Sequence, residues 1–553
     1  MAMNKQILIF IALGMFLNLK TQSQSLPKFW IKLTDKAGTP YSISTPTAFL
    51  TQKAVQRRIN QGIAIDVTDL PVNPAYISQI AGVSNVNLLY ASKWLNAVAI
   101  SINSSSPSVI TTATNAISTF SFVQSSEPVN RFQVVYDNEM DVFSPSELNK
   151  TTSANSPSYY GPAYWQTKQI NADCIHGYGY RGQGMVIAVL DAGFRNVDVL
   201  AAFDSLRARN GILGTRDFVS GGNSVYEDHS HGTNVLSCMA ALLPGTMVGT
   251  APRADYWLFR TEDVATETPS EEYNWIRGAE FADSVGADML TTSLGYTTFD
   301  NINFNHTYSG LNGKTYPMSI VSTMAVRKGM FVLNSAGNDG NNSWTFVGVP
   351  ADADSICSVG AIDTNGVYAS FSSKGPTVDG RIKPDLVARG HRAYVATQSG
   401  GYAFGNGTSF SCPVLAGGIA CFWQRHSHLT AYQVLDTLRK TASNNANPNN
   451  NIGWGIPNMC ALPVGIQMYS ANQPYIDVYP NPFSSNVNLT IPNGIGTEFK
   501  ILVMDVAGKI VYSNTLKNES GTLPLNLEKL ERGIYFIHLQ SAQFKQTQKL
   551  IKE

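Results

Sequence analysis

The stretch MVIAVLDAGF (185–194) decides how the middle of the chain is read. Its first six residues are all apolar and three are β-branched, bounded by Gly184 on one side and Asp191 on the other. A strand with one wet face would alternate, so this run fits a strand covered on both faces. DYWLFR (255–260), DMLTTSL (288–294) and MFVLNSAG (330–337) have the same form, with helical segments between them. From about 159 to 462 the alternation predicts an α/β fold, a parallel sheet with helices on both faces. In such sheets ligands sit beyond the carboxyl ends of the strands, and Asp191 stands at one of those ends.

The rest of the chain bounds the answer. At 553 residues it is long enough for three or four domains, and 39 basic residues balance 39 acidic ones, so no bulk charge recruits nucleic acid or an anionic membrane. MAMNKQILIFIALGMFLNLKTQSQS opens with a lysine, an apolar run over 7–19 and small polar residues, which reads as a secretory signal peptide over 1–25. The rival, a membrane anchor, needs roughly 20 apolar residues. Six cysteines lie without a CxxC pair, against a zinc site or redox dithiol; export permits disulfides, but their pairing is left open.

Segments 29–34, 53–61, 83–89, 96–102, 106–119 and 120–124 read as β-α-β-β-α-β, an α+β unit ahead of an exposed Ser/Asn/Pro-rich boundary at 144–158. Near the far end, 487–491 alternates, Ala507-Gly508 reads as a turn and 534–539 as a strand, predicting a small all-β sandwich.

The candidate chemistry lies at the strand ends. In EDHSHGTNV, His231 precedes Gly-Thr and a helical run from 234 to 243, whereas His229 belongs to the polar approach loop, so His231 is the candidate base. In GTSFSCPV (407–414), Ser409 starts a helix, where unpaired N–H groups and the helix dipole favour developing negative charge. Pro413 is expected in that helix's first turn, with Ser411 and Cys412 turned away. Asn338, in NSAGNDG at another strand end, can donate its amide to an oxyanion. Singly, each has an ordinary structural reading: Asp191 and Asn338 as turn formers, Ser409 as an N-cap. Together they aim at one edge of one sheet.

LDAGF, HGTNV, SLGY, AGND and NGTSFSCP, in this order, resemble the signature segments of the subtilases, the subtilisin-like serine proteases. The resemblance covers about 159–462 and implies a secreted endopeptidase that cleaves protein or peptide substrates through an acyl-enzyme. In it Ser409 is the nucleophile, His231 the general base and acid, Asp191 the residue that orients His231, and Asn338 an oxyanion donor. It further implies that Ser293, Leu294, Gly295, Ser335, Ala336 and Gly337 border the substrate. Asn234, Val414, Cys412 and Arg389 depart from the common pattern: many relatives carry histidine at the first two positions, a small residue at the third and often proline at the fourth. Cys412, next to the nucleophile segment, suggests thiol sensitivity.

No cofactor or metal is expected in the chemistry. Structural calcium, common among subtilases, has no calcium-loop spacing here to support it. The first unit (26–150) resembles subtilase propeptides, which assist folding and inhibit the enzyme; an independent binding domain is the alternative. The catalytic domain is placed at 151–465 and a linker at 466–475. The end of the chain (476–553), with VYPNP, MDVAGKIVY and LERGIYFIHL, resembles the type IX secretion sorting domain, implying passage through the periplasm and outer membrane to the surface or beyond. A monomer is expected. Two other classes compete with this reading. An α/β-hydrolase fails because Ser411 occupies the second glycine of GxSxG and the histidines after it (His426, His428, His538) have no suitable setting. A catalytically silent surface binding protein on a subtilase scaffold would follow from loss of a triad member, and none is missing. The insertion at 297–318 is read either as a cleft wall or as a surface excursion.

Overall fold

Why MVIAVL is uniformly apolar becomes visible in the sheet it enters. The computed structural model describes residues 26–129, 156–461, 477–491, 498–506, 508–517, 521–540 and 545–553. The expected signal peptide and the 466–475 linker lie outside them, as does most of the 144–158 boundary. Seven strands form one parallel sheet: β5 (Val186–Asp191), β6 (Ile212–Asp217), β7 (Asp255–Arg260), β8 (Met289–Thr292), β9 (Phe331–Ser335), β10 (Cys357–Ile362) and β11 (Leu386–Arg389), in the spatial order β11-β10-β9-β8-β5-β7-β6. In β5, Ile187 and Val189 enter one core, with the helix of Thr408–Arg425; Val186, Ala188 and Leu190 enter the other, with Trp275 and Ile276. Both faces are dry, so no position along the strand can be polar until its end.

The strand order reverses at β5. Strands β7 and then β6 lie on one side of it, and β8 to β11 follow on the other, which makes the carboxyl end of β5 the switch point where crevices open in such sheets. Of the seven strands, β6, β10 and β11 were not among the clearest sequence runs. β6 (ILGTRD) carries Gly and charge at an edge, and β11 has only four residues.

Ahead of this domain, β1 (Lys28–Leu33), β2 (Val86–Ser92), β3 (Ala97–Ile102) and β4 (Val123–Pro128) make an antiparallel sheet of order β2-β3-β1-β4. The expected β-α-β-β-α-β order needs correction. A helix does span Gln52–Gln61 (α1), but it packs on the large domain: Thr51 N–H donates to the Ser284 carbonyl (2.9 Å), and Gln61 bridges Gly329 O (2.7 Å) and Ala431 N–H (2.9 Å). The helix that follows β1 on the sheet is a second one, α2 (Pro74–Ala81), N-capped by Asn73 and packed on β2. At eight residues with Ser and Gln in its middle, it gives too little periodicity to stand out.

The last unit, divided from the rest at Ala461/Leu462, is two antiparallel sheets around one core that includes Val487, Leu489, Ile501, Val503, Ile537 and Leu539. Its strands Asn486–Ile491 and Gly533–Gln540 contain the two expected ones, and Gly508 takes a left-handed φ of 82°. Ala507, the other half of that turn, lies outside the described residues.

Cys174 and Cys460 form a disulfide across 286 residues of sequence, joining the two ends of the large domain, while Cys238, Cys357, Cys412 and Cys421 are free and buried. The insertion at 297–318 is more than a surface excursion: Phe299, Leu311 and Met318 are buried in the second core, and His306 Nε2 meets Glu272 at 2.9 Å.

Candidate active site

Asp191 ends β5 with its side chain sealed from solvent. Oδ1 accepts from Ala192 N–H and pairs with His231 Nδ1, both at 2.8 Å. His231 is the first residue of the helix His231–Ala240, and Gly232 lets that helix start against the β5 turn: a Cβ there would lie 2.4 Å from the Gly193 carbonyl oxygen. Burial lowers the affinity of His231 for a proton, but the Asp191 charge and hydrogen bond, with a smaller contribution from Glu262, outweigh it, so the pKa is raised above its ordinary 6.5. His229 stacks beside it, 6.5 Å between ring centroids, and makes no pair with Asp191.

Ser409 is the second residue of the helix Thr408–Arg425, in the turn whose N–H groups have no intrahelical acceptor. Its hydroxyl donates to the Ser293 carbonyl (3.2 Å), and Ser293 Oγ donates to the Ser409 carbonyl (2.9 Å). The second bond has a cause in the sequence. Pro413 is the sixth helical residue, not in the first turn as expected, and lacks the N–H that would have bonded the Ser409 carbonyl four residues back; Ser293 fills that vacancy. No hydrogen bond joins Ser409 to His231 here, although the His231 ring lies 6.2 Å from that of Phe410, the next residue. Ser411 is fully buried and donates to the Thr408 carbonyl (3.0 Å).

Asn338 Oδ1 accepts from Thr408 N–H (2.9 Å) and Thr408 Oγ1 (3.0 Å). With its acceptor end held twice, the exposed side chain presents its NH2 end beside the Ser409 turn. Ser293, Leu294 and Gly295 follow β8, and Ser335, Ala336 and Gly337 end or follow its neighbour β9, so the two segments flank the Thr408–Ser409 turn. Gly295 is exposed, whereas Ala336 is fully buried against Val347 and Ala351 and offers backbone only.

The expected thiol sensitivity of Cys412 fails. The thiol is fully buried, contacts Thr291 Oγ1 (3.5 Å) and the Thr292 carbonyl (3.6 Å), and burial pushes its pKa up to about 12, so little thiolate is available. Sequence reasoning also missed Glu262. It follows β7 at the same sheet edge, is buried, and bonds Tyr296 OH and Thr261 Oγ1; burial, partly offset by these bonds, raises its pKa to about 7. Its place two residues beyond DYWLFR was the available signal. Among the described residues no group of three or more His, Cys, Asp or Glu could hold a metal ion.

The family model "Subtilase family" matches residues 182–455, "Peptidase S8 propeptide domain, Bacteroidota" matches 28–141, and "Secretion system C-terminal sorting domain" matches 477–553. A subtilisin of Bacillus pumilus is 33% identical over 279 residues, 50% of this chain and 90% of that protein. Subtilisin E of Bacillus subtilis (strain 168) is also 33% identical over 279 residues, and the match spans 65% of its length. Among solved structures, the MycP3 protease from the type VII (ESX-3) secretion system is similar at 21% identity and a TM-score of 0.43, covering 57% of this chain and 92% of that one. The chain belongs to the subtilase family, with a propeptide of the S8 type before the catalytic fold. Its sorting tail directs it by type IX secretion to the cell surface or the extracellular space. No described helix is long and apolar enough to cross a membrane.

Proposed function

We propose that the chain is a secreted serine endopeptidase, made as a self-processed precursor, that cleaves peptide bonds of extracellular proteins. The observation that carries this reading is the Asp191–His231 pair at the sheet's switch point, facing the helix turn that holds Ser409. Ser409 Oγ attacks the peptide carbonyl while His231 Nε2 takes its proton. Nδ1 stays hydrogen-bonded to Asp191, which fixes the tautomer and stabilises the imidazolium. The oxyanion receives the Asn338 amide and the Ser409 N–H. His231 then protonates the leaving amine, and water repeats the sequence on the acyl-enzyme. Ser293, Leu294, Gly295, Ser335, Ala336 and Gly337 align the substrate as a strand between them, largely through backbone groups. The chemistry needs no cofactor. The 26–150 unit acts as an intramolecular inhibitor, the 476–553 unit is handed to the type IX machinery, and the mature enzyme works as a monomer.

The test is labelling with a fluorophosphonate, which reacts with activated serines, while the size of the protein is followed on the same gel. Wild type and Ser411→Ala should label and shorten. Ser409→Ala should do neither, and its kcat on a chromogenic peptide should fall by about 10⁶, the scale known for the triad serine of subtilisin. Folded, shortened wild type that fails to label would leave a silent scaffold, and the protease reading would be withdrawn.

A further inference from the structure

We propose that the large domain carries a second ligand site, a pocket for a carboxylated sugar built on Arg389 and Trp165. It does not depend on the peptidase reading.

Arg389, Trp165, Lys168, Gln169 and Thr364 line a cavity of about 370 Å³, where the short helix Tyr164–Gln169 packs against edge strand β11. This is within the ~300–1,000 Å³ usual for small-molecule sites. Arg389 is the last residue of β11 and only 5% exposed. Buried cations are expected to be paired. In the larger unit, the other buried lysines and arginines obey this: Arg57, Arg58 and Lys93 meet Asp283, Lys328 meets Asp69, Lys383 meets Asp385 and Arg260 meets Asp217. Arg389 is the exception. Among the described residues its side chain donates only from Nε, to the Arg392 carbonyl at 3.1 Å, and no carboxylate pairs with it. Among the described residues its two terminal nitrogens have no hydrogen-bond acceptor, and the residue lines the cavity. Burial, with repulsion from Arg392 added and attraction to Asp363 offsetting only part of it, lowers its pKa to about 10, so it is still charged at neutral pH. A guanidinium kept charged and unpaired at a cavity wall is a fork set for a bidentate anion.

The other walls narrow the ligand class. Trp165 is 63% exposed, an indole held edge-on by Tyr164 (5.2 Å between centroids) with its outer part in solvent. Lys168 adds an ammonium that shares Asp173 at 3.1 Å. Gln169 is anchored by donation to the Asp363 carbonyl (2.9 Å), and Thr364 supplies a hydroxyl. An inorganic anion would use the cations and ignore the indole. A hexuronic acid uses both kinds of wall: its carboxylate on Arg389 with Lys168 nearby, its ring C–H face on Trp165 and its hydroxyls on Thr364 and Gln169. Arg389 is also the residue of KPDLVARG that departs from the proline frequent among relatives. The pocket stands beside the active-site edge, since Gly390 accepts from Gly407 N–H at 2.9 Å, but shares no side chain with the triad.

Calorimetric titration of the secreted wild-type protein with digalacturonic acid tests the site, with a neutral galactose disaccharide, inorganic phosphate and an end-blocked tetraglutamate as comparisons. Digalacturonic acid should bind and the neutral disaccharide should not. Arg389→Gln and Trp165→Ala should each weaken binding by about tenfold or more. Circular dichroism and melting of Trp165→Ala, an exposed position, separate lost contact from lost fold. Absence of binding, or undiminished binding by both variants, overturns the proposal. Phosphate binding as tightly as the sugar acid would make this a bare anion hole, and tetraglutamate binding as tightly would make it an acidic-peptide site. Either result overturns the sugar assignment.

Discussion

Asp191 ends a central strand and faces one imidazole, whereas Asp283, equally sealed from solvent on the helix Pro269–Ser284, faces three cations from the N-terminal unit: Arg57, Arg58 (2.9 Å) and Lys93 (2.9 Å). Arg58 and Lys328 also share Asp69, so the second carboxylate sits in a network that crosses from one unit to the other. Next to it, Glu280 accepts from Lys93 N–H (2.9 Å) and Trp94 N–H (3.1 Å). A carboxylate with more cations than it needs holds two bodies together. A carboxylate with a single titratable partner sets that partner's proton affinity. The same side chain at the same burial ties charges together in one place and raises a histidine's pKa in the other, and only the partners differ.

The comparison is broken most severely at Asp191. Asp191→Asn keeps the shape but removes the charge that selects the His231 tautomer, and kcat should fall by about 10⁴. The acid limb of the pH profile should also move to lower pH, because His231 loses the main interaction that raises its pKa. A kcat within tenfold of wild type would deny Asp191 its role.

Asp283→Asn should leave catalysis by the matured enzyme intact and weaken the hold of the N-terminal unit. Removing one partner of a buried ion network costs about 3–5 kcal/mol. In the Ser409→Ala precursor, hydrogen exchange over residues 52–61 should therefore quicken by roughly two orders of magnitude or more. Unchanged exchange would show that the cations find other partners.

Acid sharpens the contrast. Burial pushes the Asp283 carboxyl up, but Lys93, Arg57 and Arg58 outweigh it and hold it below its ordinary 3.8. Stability from such a group is present above its unfolded-state pKa and lost only as pH falls through the lower folded value, so going from about pH 7 to about pH 5 should leave the protection factors over 52–61, corrected for the slower intrinsic exchange in acid, unaltered. Peptidase activity should fall over the same interval as His231 gains its proton. Loss of protection at pH 5 would mean that another group governs the interface.

The smallest effect is expected at Glu262. Glu262→Gln removes a carboxyl near His231 that burial leaves only partly charged near neutral pH, so the acid limb should move down by less than about one pH unit, with kcat at its plateau nearly unchanged. A shift as large as that of Asp191→Asn would place Glu262 on a par with Asp191.

Much of this was legible beforehand because parallel sheets write themselves as uninterrupted apolar runs, and the strand ends are where Asp191, Asn338 and the approach to Ser409 had to fall. The strands at 186–191, 255–260 and 331–335 declare themselves this way. The role of the helix Gln52–Gln61 was not legible. Its pattern gave a helix, but its buried arginines look like ordinary solvated charges until Asp283, more than two hundred residues away, is brought against them. Pro413 read as a first-turn proline for a similar reason: the carbonyl it orphans is satisfied by Ser293, a partner found only across the fold.

The sequence by itself determined the family, the order of the units and the residues at the sheet edge, because periodicity and local motif chemistry act over a few residues at a time. The tertiary structure decided which buried charges are paired. It closed Cys174 to Cys460, gave Asp191 to His231 and not His229, turned Cys412 inward, and left Arg389 without an ion pair among the described residues. The reason is physical: desolvation and Coulomb energy depend on distances in space, and distance along the chain does not fix them.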